Sequence, residues 1–156
     1  MTSKELVLTT MRNMGRADAL DLVSRLPNMT DTEIINEEEK IPAWDGTKDY
    51  TTYKVGFAVS FPINEELNIF GLLQPHNASY YPDTNPDNNR ALWSLKHTKN
   101  PLKARGYVRP SGTSGLYMKD ECYKDGEVVY ISAIDNNAYT FEEYPQGWTI
   151  WGGESV

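Results

Sequence analysis

The chain has 156 residues, 39% of them hydrophobic, which suits one ordinary domain or two or three very small ones and excludes a collagen-like, fully disordered or rod-like chain. With 22 acidic residues against 15 basic the net charge is −7, which argues against unaided binding to nucleic-acid phosphates or to an anionic membrane surface. The single Cys122 excludes an intramolecular disulfide framework, and neither histidine stands at metal-ligand spacing from it, so neither a structural metal nor a cofactor is expected.

In chain order, residues 1–40 read as helical. Thr2-x-x-Glu5 and Thr30-x-x-Glu33 both fit a capping box, in which a hydroxyl and a carboxylate satisfy orphan amides at a helix start. Val7, Met11 and Met14 keep helical spacing, as do Ala19, Leu22, Val23 and Leu26; Gly15 marks a bend and Pro27 a stop. The run Asn36-Glu-Glu-Glu-Lys40 reads as a solvated helix end. So few apolar positions make no core alone, and these helices must bury against another part of the chain, against copies of themselves or against a partner. The opening residues lack the basic start and apolar stretch of a signal peptide, and no apolar run nears the ~20 residues of a membrane span, so membrane insertion is not expected.

From Ile41 the texture turns to Pro, Gly, Asn, Asp and aromatics. Phe57–Phe61 and Ile69–Gln74 are strand candidates joined by a polar Asn64–Asn68 loop. Glu121–Lys124 and Val128–Ser132 form a second hairpin around Asp125-Gly126, a type I′ turn signal. After each hairpin comes a Tyr-, Asn- and Pro-rich stretch that ends on a tryptophan, Trp93 or Trp148. The chain therefore reads as an internal duplication. An α+β fold follows, with a helical attachment or oligomerisation segment (1–40), a first small β unit (41–95), a basic linker (96–104) and a second unit (105–156).

The string Pro110-Ser-Gly-Thr-Ser-Gly-Leu-Tyr117, Gly126, Tyr130-Ile-Ser132, Ile134-Asp-Asn-Asn137 and Tyr144-Pro-x-Gly-Trp148 resembles the small chitin-binding-type carbohydrate-binding modules of families five and twelve, in the version found in bacteriophage tail and baseplate proteins. Trp44, Tyr50, Tyr53, Gly56, Gln74-x-His76, Tyr81-Pro82 and Leu92-Trp93 resemble the companion repeat of such proteins. The resemblance implies a virion protein made in a host cytoplasm. Its N-terminal helices would hold other virion proteins, and its modules would meet cell-surface glycan.

Sugar recognition of this kind stacks the apolar face of a pyranose on an exposed ring while amides and carboxylates bond its hydroxyls. Candidate binding residues are Tyr80, Tyr81, Gln74 and Asn77 in the first unit, and Asp135, Asn136, Asn137, Tyr139 and Tyr144 in the second. The four tyrosines can equally serve local packing, and Asn136-Asn137 reads first as a turn element and second as a sugar ligand. Trp44, Tyr53, Trp93, Tyr117 and Trp148 are assigned to cores. Two ring stacks give roughly millimolar affinity, so display on a homo-oligomer or particle is expected to supply avidity. Because Tyr81 and Tyr139 stand where the family has Trp, a second reading is a purely structural capsid decoration, head fibre or baseplate adaptor. No nucleophile–base, metal-hydrolase or phosphate-loop motif occurs, and no enzyme activity is expected.

Overall fold

The computed structural model describes residues 20–152; the first capping box, Gly15 and the helical positions before Leu20 lie outside them. Short N-terminal helices precede two small sheets, one of three strands and one of four, an α+β arrangement that is mostly β.

Residues 20–25 are helical and run into a 3₁₀ turn, Leu26–Asn28, with Pro27 inside it. Helix α1 (Asp31–Asn36) starts at the expected capping box. Thr30 Oγ1 accepts from the Glu33 amide at 3.2 Å, and Glu33 Oε1 accepts from the Thr30 amide at 2.9 Å. Six residues cannot sustain a helix in water without packing. The packing comes from this chain: Leu22, Ile34, Ile35 and Ile41 share a buried cluster with Ala58 and Ile69 of the first sheet. Among the three coverings the sequence allows, residues 20–40 use another part of the same chain.

The charge run at 36–40 departs from its expected solvated role. Glu37 bonds Arg25 at 2.7 Å and Lys40 at 2.9 Å, while Glu38 accepts from Arg105 at 2.8 Å. Asp31 pairs with Lys96 at 2.9 Å, Thr32 Oγ1 accepts from the Lys99 amide, and Asn100 donates to Asn36. The basic stretch 96–104 is thus a docked strap rather than a free linker. Its positive charges meet the acidic helix, and complementary charges at ~3 Å hold a short segment that has little apolar surface of its own.

The first sheet has strand order β1 (Ala58–Ile63), β2 (Glu66–Leu72), β3 (Trp93–Leu95), all antiparallel. The β1–β2 turn is only Asn64-Glu65, because Ile63 pairs with Glu66, so the expected five-residue loop is mostly strand. Both turn residues have positive φ, 52° and 68°, as a type I′ turn requires. Glutamate adopts that conformation at a cost. Glu65→Gly should therefore stabilise the protein by about 0.5–1 kcal/mol, read as a higher urea midpoint with unchanged m-value. No change or a loss would mean that the Glu65 side chain contributes a contact of its own.

The second sheet runs β4 (Arg105–Gly106), β5 (Cys122–Asp125), β6 (Val128–Ser132), β7 (Trp148–Ile150), with β4 parallel to β5 and the rest antiparallel. Asp125 pairs with Val128, which makes the turn Gly126-Glu127 rather than Asp125-Gly126. Only Gly126 has positive φ, at 60°, the pattern of a type II′ turn with glycine at its first central position.

The two sheets follow one bonding scheme. Ala58 pairs with Gly71 as Cys122 pairs with Ile131; Leu72 pairs with Trp93 as Ser132 pairs with Trp148. A parallel bridge adds Ala43 to Ser60 and Gly106 to Lys124, so Trp44 and Tyr107 follow at matching places. Tyr50 OH accepts from the Asp45 amide at 3.1 Å, and Tyr117 OH accepts from the Val108 amide at 3.3 Å.

Each scheme encloses its own rings. Tyr50, Phe70 and Trp93 are buried in the first, with Trp44 and Tyr53 packed at its margin; Tyr117, Tyr123 and Trp148 are buried in the second. The halves meet where Val108 joins the first cluster and where the His97 ring lies flat on Tyr117, centroids 3.7 Å apart. Glu66 Oε1 accepts from the Gly106 amide at 2.8 Å, and the Arg105 guanidinium donates to the Leu67 carbonyl across the same seam.

Candidate functional site

The sequence-derived residues of the second half gather after β6. Tyr117 and Asn137 exchange backbone hydrogen bonds at 3.0 and 2.8 Å, pinning the segment that follows. Asn137 has no exposed surface. Its amide donates to Ser132 Oγ and to the Gly147 carbonyl, and its Oδ1 accepts from the Tyr139 amide. Its side chain is fully occupied in the scaffold and is not a surface group for a ligand. Asn136 beside it is exposed at φ 56°, the left-handed conformation that Asn tolerates better than most residues, and here it makes a turn. Asp135 is exposed and accepts from the Lys119 amide through Oδ1, which leaves its other oxygen open.

Tyr139 and Tyr144 face solvent at 51% and 38% exposure, edge to face with centroids 5.9 Å apart. Both are held from below. The Tyr139 carbonyl accepts from the Trp148 indole at 3.0 Å, and Tyr144 lies over Gly147, where an added Cβ would stand 2.6 Å from the ring. Glycine is needed there because the ring sits directly on the backbone.

In the first half Tyr80 is 78% exposed and Tyr81 43%. Tyr80 ends a 3₁₀ turn, Ala78–Tyr80, capped by Asn77, whose Oδ1 accepts from the Ser79 amide and hydroxyl. Tyr81 meets the buried His76 ring edge-on at 5.7 Å, and His76 is fixed by the Gln74 carbonyl at 2.7 Å. Gln74 is exposed but donates to the Ala91 carbonyl. The structure thus places Tyr80, Tyr81, Gln74 and Asn77 close together in the chain, with both amides already engaged in shaping the loop.

A groove that the sequence reading did not single out opens between the β5–β6 turn and residues 140–142. It measures about 320 Å³ and is lined by Tyr107, Tyr123, Tyr130 and Phe141, with Lys124, Asp125, Thr140 and Glu142 around them. Tyr130 and Phe141 stack at 4.7 Å. Tyr123 and Tyr130 are a direct cross-strand pair, so strand alternation could have placed them on one face. Phe141 carried no such signal, because it lies in an irregular segment.

Three further buried titratable groups lie outside this groove. Burial pushes the Glu121 carboxyl up to about 7 even though Glu121 Oε1 accepts from the Met118 amide at 2.7 Å. Burial lowers His97 to about 4, with Nε2 2.8 Å from the Gly115 carbonyl. The Cys122 thiol is pushed up to about 12 by burial and points at the Thr98 carbonyl at 3.2 Å, the environment of an inert thiol. Among the described residues no three His, Cys, Asp or Glu side chains cluster to hold a metal, and no helix is long and apolar enough to cross a membrane. Comparisons with protein-family models, with curated proteins and with solved structures find no match to this chain.

Proposed function

We propose that the protein is a bacteriophage virion component of the tail, baseplate or a fibre, whose two small aromatic units, akin to carbohydrate-binding modules, are displayed to engage cell-surface glycan. One observation carries the reading: Tyr80, Tyr81, Tyr139 and Tyr144 all present rings to solvent, although Trp93, Tyr117 and Trp148 show that the cores bury large rings readily. A chain with a core place for its rings leaves four tyrosines exposed at a cost in solubility, and ring stacking against a pyranose is the use their chemistry suits. The same exposure keeps these rings outside the chain's own buried cores, as stacking on a sugar requires.

Residues 20–40 are bonded to the first sheet and to the 96–105 strap, so a virion partner gripping the N-terminal segment would hold the units in a set orientation. Two stacks and a few hydrogen bonds correspond to about millimolar affinity, and a homo-oligomer on a particle supplies the remaining ~10²–10⁴ as avidity.

A glycan array probed with the assembled oligomer tests the reading. Tyr139→Ala and Tyr144→Ala should each lower binding about tenfold, as should Tyr81→Ala, with the fold retained because none of the three rings belongs to a buried core. Equal binding by all three variants, or none by the parent, would remove the recognition role.

A further inference from the structure

We infer that the groove between the β5–β6 turn and residues 140–142 is a saccharide site of its own, selective for neutral or amine-bearing sugar rings over anionic ones. The ligand class rests on the glycan-binding reading above; the place and the charge preference come from the groove. Its volume, about 320 Å³, stands at the lower end for small-ligand sites. Its floor is aromatic: Tyr130 and Phe141 stack at 4.7 Å and 20° and are both only partly buried, leaving ring surface for an apolar sugar face. Its rim is polar, and no ion pair among the described residues engages Lys124, Asp125 or Glu142. Two carboxylates against one ammonium suit a ligand rich in hydroxyl donors and repel a carboxylate or phosphate.

The walls are braced by hydrogen bonds that the lining tyrosines make and by one ion pair outside the lining. Tyr123 OH accepts from the Phe141 amide at 2.8 Å, the Tyr107 hydroxyl donates to the Ala138 carbonyl, and Arg109 pairs with Glu143 at 3.0 Å while Glu143 Oε1 accepts from the Thr140 amide. A site held this way loses little entropy on binding. The two-fold bonding scheme supplies an internal contrast. Phe70 holds the place in the first sheet that Tyr130 holds in the second, yet it is completely buried, in one cluster with Val108 and under the Arg90 guanidinium. The seam seals that face in the first half and leaves it open in the second.

Amide chemical shifts of the full-length protein, titrated with methyl β-glucoside, methyl β-glucosaminide and N-acetylneuraminic acid, test the site. The first two should move Lys124, Gly126, Thr140 and Phe141, the acid should not, and Glu142→Gln or Asp125→Asn should weaken the response about tenfold with the rest of the spectrum intact. Tyr139→Ala should leave these shifts in place. Shifts confined to Tyr139 and Tyr144 would overturn the groove and spare the glycan-binding role. An equal or stronger response to the acid, or silence at the groove, would also overturn it.

Discussion

Tyr117→Ala should destabilise the protein by about 3–5 kcal/mol, the range for removing a buried aromatic ring from a packed core. Tyr117 is 1% exposed and touches both halves. On one side it carries the His97 ring at 3.7 Å; on the other it meets Trp148 at 5.4 Å and Tyr107 at 5.7 Å. Its hydroxyl is the acceptor for the Val108 amide, and Val108 belongs to the first core. Loss of the ring would therefore open the seam as well as the second core. Tyr117→Phe separates the two contributions: the ring stays and the buried Val108 amide loses its partner, for about 1–2 kcal/mol. Urea unfolding of both variants measures this. An alanine variant no worse than the phenylalanine variant would show that the ring does not join the halves.

Stability between about pH 4.5 and 6.5 should be nearly flat because two buried groups act in opposite directions. Glu121 rises from an ordinary 4.5 to about 7, so the folded state holds its proton more tightly. That contribution is complete below pH 4.5 and is lost as pH climbs through 7. His97 falls from 6.5 to about 4, so the folded state resists protonation, and its contribution is lost as pH drops from 6.5 towards 4. In the shared window one slope cancels the other. Glu121→Gln should expose the histidine slope, giving stability that increases with pH by up to about 3 kcal/mol between pH 4 and 6.5. His97→Phe, which keeps a ring over Tyr117, should expose the opposite slope. Denaturant midpoints measured from pH 4 to 8 decide the matter, and variants as flat as the parent would contradict it.

The local rules were legible where few residues decide the outcome. The Thr30–Glu33 box starts a helix as read, because its two hydrogen bonds are made within four residues. The hairpins were found but their turns were misplaced. Ile63–Glu66 and Asp125–Val128 pairing depends on register with the whole strand, which the dipeptides at the tip do not encode. The strap at 96–104 looked like a linker because its ties, Lys96 to Asp31 and Lys103 to Glu38, span more than sixty residues. Among the candidate ligands, Tyr80 and Tyr139 are exposed, whereas Asn137 was indistinguishable from its neighbour Asn136 by composition. Only the fold sends one amide inward to Gly147 and leaves the other outside. The place of His97 in the seam was not legible, since nothing nearby in sequence announced the Tyr117 ring beneath it.

The lone thiol offers a practical handle. Cys122 lies in β5 against the strap, 3% exposed, with its thiol bonded to Thr98 and strongly biased against ionisation. An alkylating reagent can reach it only when the strap lifts from the sheet. The speed of labelling therefore counts breathing events at the join between the two halves, without any added probe, and a sugar or particle partner that clamps the halves together would slow that clock.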